Sequence, residues 1–164
     1  MTDPNDVTSA SADPASAVGG PDAADPDAPV RFDTRVAVLV RDDLATWQRL
    51  NVTAFLASGV ASDPELIGEP YVDADDTGYL PLLRQPVMVF EADSEALAAA
   101  RAKGVERGMR VAVYTADMFA TTHDAANRAA VRRVAGADLD LVGVALHGAR
   151  NAVDRLVKRA RLHG

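Results

Sequence analysis

Six polar side chains crowd one short stretch, YTADMFATTHDAANRAAV from Tyr114 to Val131: Asp117, Thr121, Thr122, His123, Asp124 and Asn127. Asp117 and Thr121 stand four apart, so a turn of helix would set a carboxylate beside a hydroxyl. Such a pair can orient a water or polarise a carbonyl. The plainer alternative is that Asp117 caps a turn and Thr121 caps the helix that follows. His123 and Asn127 share a face in the first turn of that helix, where free amides attract anions. The alternative there is simple solvation. A second polar cluster, Arg41, Asp42 and Asp43, ends the apolar run RVAVLVR.

Other chemistry is poorly provided for. The chain has no cysteine, which removes disulfides, thiolate nucleophiles and Cys-ligated zinc. Its three histidines, 123, 147 and 163, are far apart and none lies in an H-E-x-x-H pattern, so no metal is expected. DADDTG (Asp73–Gly78) opens like a calcium loop, but position twelve is Arg84 where a bidentate carboxylate is required. A solvated turn accounts for it. Neither G-x-G-x-x-G nor G-x-x-x-x-G-K-[ST] occurs, and no cofactor is expected.

The elements that must position the polar clusters follow from periodicity. Arg35–Arg41 reads as a buried strand. Val52, Phe55, Leu56 and Val60 recur at three- and four-residue spacing, predicting a helix from about Gln48 to Val60. Glu69–Leu83 has two arms around an Asp-Asp-Thr-Gly turn, a hairpin inserted between core units. Pro70, Pro81 and Pro86 keep it out of a central sheet position. Pro86–Glu91 is a second core strand. A helix capped by Asp93 or Ser94 follows, with Leu97, Ala100, Gly104 and Val105 inward and Gly108 just past its end. Met109–Thr115 is a third strand, parallel to the second through a βαβ crossover.

A helix over about His123–Val134 comes next, with Thr121 and Asp124 at capping-box spacing. Leu139–His147 is a fourth strand. Ala149–Leu162 is a last helix, with Val153, Leu156, Val157 and Ala160 inward and Arg150, Arg155, Lys158, Arg159 and Arg161 outward. Strands alternating with helices imply an α/β three-layer sandwich: a mixed four-stranded sheet with helices on both faces plus the hairpin. If strands one and three run the same way, the two polar clusters share the carboxyl edge of the sheet, where open α/β sheets bind ligands. Trp47 and Phe119 sit at this edge, to wall a pocket or anchor their loops.

Composition bounds the setting. With 164 residues, 48% hydrophobic and 25% charged, the chain holds one globular domain and a tail. Six of its net seven negative charges are aspartates within residues 1–30, which have no Lys or Arg. That segment is expected to be disordered, because it buries too little to offset its ordering entropy. The domain, residues 31–164, carries about −1, which argues against a phosphate-binding field without excluding nucleic acid. No run is long and apolar enough to span a membrane, and no secretory pattern opens the chain, so the cytoplasm is the expected location.

RVAVLVRDDLATWQRLNVTAFLASG, PELIGEPYVDADDTGYLPLLRQPVMV, VAVYTADMFATTHDAANRAAV and DLVGVALHGARNAVDRLVKRARLHG together resemble an uncharacterised bacterial family, domain of unknown function 2000. The resemblance covers residues 33–164. That family in turn resembles the type II peptidyl-tRNA hydrolases, whose fold is a mixed four-stranded sheet with helices on both sides and which often dimerise. Arg41, Asp43 and Leu44 stand where those enzymes have Arg-x-Asp-Leu; Asp117 and Thr121 match the ends of their Asp-Ala-Gly-Arg-Thr loop. Met118, Phe119 and Ala120 replace Ala-Gly-Arg. The lysines that open their first helix are absent, with Asn51 nearest; a neutral amide donates a hydrogen bond without charge, and charge-assisted bonds are roughly twice as strong.

The resemblance implies a hydrolase or transferase site with Asp117 as base or orienter, Thr121 as its partner and Asn51 as carbonyl or oxyanion donor. Arg41, Asp43, His123 and Asn127 would position substrate. The alternative is a non-catalytic module holding a small-molecule or peptide-like ligand at the same edge. A homodimer is a further expectation.

Overall fold

The five residues Val36–Val40 are each at most 1% exposed, and they form the middle of the central strand β1 (Thr34–Arg41). Its side chains alternate between two cores, as a strand with period two requires. Val36, Val38 and Val40 pack with Val52, Leu56 and Val60 of helix α1 (Thr46–Val60). Ala37 and Leu39 pack on the other face with Leu97 and Ala100 of α2 (Ser94–Glu106) and Val153 and Val157 of α4 (Arg150–Val157). The computed structural model describes residues 28–163. Apart from its last three residues, the acidic segment 1–30 lies outside them.

The remaining strands are β2 (Tyr71–Val72), β3 (Gly78–Tyr79), β4 (Val87–Ala92), β5 (Arg110–Thr115), β6 (Leu141–Ala149) and β7 (Arg161–Leu162), with helix α3 (Asp124–Arg132) between β5 and β6. The protein is α/β with a mixed five-stranded sheet in the order β5-β6-β1-β4-β7. β4 pairs parallel with β1, whereas β6 lies antiparallel between β1 and β5. β2 and β3 form the separate hairpin expected between the first two core units.

Three expectations need correction. First, β4 and β5 run in the same direction but do not pair, because β1 and β6 lie between them. β1 and β6 are apolar and buried on both faces and take the inner positions; Val111–Val113 of β5 are only partly buried, which suits an edge.

Second, the sheet has five strands because the last helix is shorter than Ala149–Leu162. It stops at Val157, and Arg161 and Leu162 return as β7 against Glu91 and Phe90. The buried carboxylate of Glu91 draws this segment in. It pairs with Arg161 and Arg49 and lies 2.7 Å from His163 Nδ1, while the His163 amide donates to the Val89 carbonyl at 2.9 Å. Arg161 therefore belongs to a strand and not to a basic helix face.

Third, two apolar residues placed inward by periodicity face outward: Phe55 is 53% and Val105 58% exposed. Around α2 the local signals hold. The Asp93 side chain accepts from the Ala96 amide at 2.7 Å and caps α2, and Gly108, at φ 64°, follows its end.

Candidate functional site

Since β5 opposes β6 and β6 opposes β1, strands β1 and β5 run the same way and end at one sheet edge. Past that edge β5 leads into a 3-10 turn, Ala116–Ala120, tied back by the Ala116 amide donating to the Asp140 carbonyl at 2.9 Å. What seats the turn is a chain of aromatic rings. Trp47 meets Phe119 edge-on with centroids 5.8 Å apart, Phe119 meets Tyr114 at 5.3 Å, and Tyr114 meets Phe55 at 5.7 Å. Such contacts contribute ~0.5–1.5 kcal/mol each beyond their burial. They clamp the end of β5 to the exposed side of α1.

Beneath this clamp lies a cavity of about 340 Å³. Asn51 enters from α1, Tyr114 from β5, Thr121 and His123 from the loop, and Asn127 from α3. The Asn51 amide donates to the Tyr114 hydroxyl at 3.4 Å. The Thr121 hydroxyl contacts both the Met118 carbonyl, at 2.9 Å, and the side chain of Asn127. A hydroxyl has one proton, so both contacts are satisfied together only if Asn127 turns its NH2 toward Thr121. As placed, the Asn127 Oδ1 faces Thr121; the turned amide would present that oxygen to a ligand instead.

Helix α3 starts two residues later than the capping-box reading implies. Its N-cap is His123, whose Nδ1 accepts from the Ala126 amide at 3.3 Å. Thr121 caps nothing, because its hydroxyl is engaged by Met118 and Asn127. Asp124 lines the cavity but is paired with Arg128 one turn on.

Four of the seven candidate residues thus line one cavity: Asn51, Thr121, His123 and Asn127. The other three do not. Asp117 sits in the 3-10 turn, exposed to solvent and outside the lining. Arg41 is engaged by Asp43 at 2.7 Å and Asp140 at 2.6 Å. The hydrogen bond to Asp43, and then that to Asp140, raises its pKa above the usual arginine value. Both partners hold the guanidinium at the β1 edge. Two contributors escape sequence reasoning. Tyr114 reads as one more core strand residue, although its hydroxyl was a signal, since a buried phenol generally finds a partner. Asp140 reads only as one residue of the fourth strand, Leu139–His147. Among the described residues no group of three or more His, Cys, Asp or Glu is arranged to hold a metal ion.

A second cavity, about 690 Å³, opens beside the first along α3. The two share Phe55, Tyr114, Met118, Asp124 and Asn127.

An α/β sandwich with a hydrogen-bonding cavity off the carboxyl edge of its sheet describes many proteins. This chain matches, over residues 34–164, the model of a family described as protein of unknown function (DUF2000), and it belongs to that family. It is also similar to a solved structure of a protein of unknown function from Agrobacterium tumefaciens. The identity is 47%, over 82% of this chain and all of that one, with a TM-score of 0.77. No curated protein matches significantly.

Proposed function

We propose that the cavity between α1, β5 and α3 binds a small molecule through a neutral carbonyl or amide group, and that the protein works as a binding module. The observation carrying this reading is the character of the lining. Asn51, Tyr114, Thr121 and Asn127 are uncharged donors and acceptors, His123 has its Nδ1 engaged by the Ala126 amide, and the one carboxylate, Asp124, is paired with Arg128. Buried and half-buried neutral groups of this kind recognise an amide or ester at modest desolvation cost. None of these four amide and hydroxyl side chains is a general base at neutral pH. The fold, on this proposal, is of the peptidyl-tRNA hydrolase II type, a reading supported by Arg41, Asp43 and Leu44 after β1 and by the Asp117–Thr121 spacing. A thermal-shift screen over amides, esters and nucleotides tests the proposal. Saturable stabilisation without product supports it, and loss of the stabilisation in Asn51→Ala ties the effect to the cavity. Consumption of the ligand would overturn it.

One observation favours a second reading, a hydrolase or transferase. Thr121 and Asn51, the proposed partner and carbonyl donor, line the same cavity. Peptide release from peptidyl-tRNA by wild type and Asp117→Ala decides its strict form, which fails if neither releases peptide or both do so equally.

A further inference from the structure

Taking the binding reading of the smaller cavity as its basis, we infer that the ligand is an amphiphile: a neutral amide or ester head attached to an apolar chain. The head occupies the cavity around Asn51 and Thr121. The chain lies in the larger cavity along α3.

The larger cavity has the chemistry of a chain-binding channel. Its floor comes from Leu56 of α1 and Ala112 and Val113 of the edge strand, and its wall from Ala125, Ala129 and Val131 of α3. Helix α3 stands off the sheet, with Ala130 its only buried residue, so this apolar space is open along the helix. The two cavities share five residues, which makes them one cleft with a polar end and an apolar end. The polar end decides between occupants. A purely apolar body would cut the polar groups of Asn51, Thr121 and Asn127 off from water without offering them new hydrogen bonds, and a purely polar one would leave the larger cavity unfilled. The cleft follows α3 from Asn127's end toward Arg132. The nine residues of this helix, at 1.5 Å rise each, span ~13 Å, the extent of roughly ten chain carbons.

Binding of acetamide, hexanamide and octanamide, measured by calorimetry on the full chain, tests this. Each buried methylene tightens binding by about threefold to fourfold. Octanamide should therefore bind upward of a hundredfold tighter than acetamide with roughly four methylenes buried. Ala125→Phe and Ala129→Phe replace exposed helix residues that line only the larger cavity. They should abolish most of the chain-length gain and leave acetamide binding unchanged. Equal affinity for the three amides overturns the inference, as does an unchanged octanamide affinity in both phenylalanine variants. If octanamide binds tightly, responds to Ala129→Phe and is indifferent to Asn51→Ala, the apolar channel stands and the head-group reading of the smaller cavity falls. Binding of none of the amides overturns both.

Discussion

Gly143→Ala is the sharpest probe of how the site's main helix is held. Gly143 lies on β6 directly under α1. A Cβ built there would come 2.8 Å from Leu56 Cδ1, closer still to Val52 Cγ1, and 3.4 Å from the Leu39 carbonyl oxygen. Val52 and Leu56 are 0% and 1% exposed, so neither can rotate into free space. Relief requires α1 to lift by something approaching an ångström. Overpacking of this kind costs about 1–3 kcal/mol. Two immobile neighbours put this case near the top of that range. At about 3–5 °C per kcal/mol for a domain of this size, Tm should fall by ~10 °C.

The displacement should also reach the cavity, since α1 carries Trp47, Asn51 and Phe55. Trp47 is the sole tryptophan, and its edge contact with Phe119 makes its emission a direct reporter. Circular dichroism melts and Trp47 fluorescence on Gly143→Ala, Val52→Ala and the double variant form the assay. The double variant should be less destabilised than the sum of the singles by ~1 kcal/mol or more, because the alanine at 52 vacates the space the new methyl needs. Gly78→Ala, where an added Cβ meets nothing within 4 Å, is the control. A Gly143→Ala melt within a degree of wild type, or strictly additive variants, would refute the reasoning.

Acid should destabilise the fold in two stages. The hydrogen bond from Arg161 holds the Glu91 carboxyl below its usual pKa of 4.5, helped by His163 and Arg49 against desolvation. Its contribution is complete above about 4.5 and is lost as pH falls through the lower folded value. Burial depresses His147 below 6.5, more than Asp63 raises it, so the neutral ring also favours the fold only at higher pH. Tm should decline first below about pH 6.5 and again below about pH 4.5. Glu91→Gln should remove the lower step in a pH series of melts. Phe119→Ala breaks the aromatic chain in two places and should cost about 2–4 kcal/mol, read by denaturant titration together with a change in Trp47 emission. Asp117→Ala should leave ligand affinity within about twofold of wild type by calorimetry, because Asp117 is exposed and outside the lining; Asn127→Ala should weaken it about tenfold through loss of one hydrogen bond.

Much of the fold was legible in the chain because its signals are local. The apolar run at Val36–Val40, the Asp93 cap, Gly108 and the Asp-Asp-Thr-Gly hairpin act within a few residues of themselves. The site was legible only as a list of polar residues on two loops. Thr121 looked like a cap because capping spacing is a local pattern; it becomes a cavity residue because Asn127, a turn and a half away, competes for its hydroxyl. Arg41 looked available because its partner Asp140 lies 99 residues further along.

What the sequence alone determined is the alternation of strands and helices, the absence of thiol chemistry and the concentration of polar groups after β5. Tertiary structure decided strand order, the fifth strand and membership of the cleft. Each depends on groups distant in the chain: Glu91 drawing Arg161 and His163 into β7, the glycine at 143 admitting α1 against β6, and four aromatic rings setting the loop over Asn51. Periodicity says which side of an element is apolar. It does not say what that side meets.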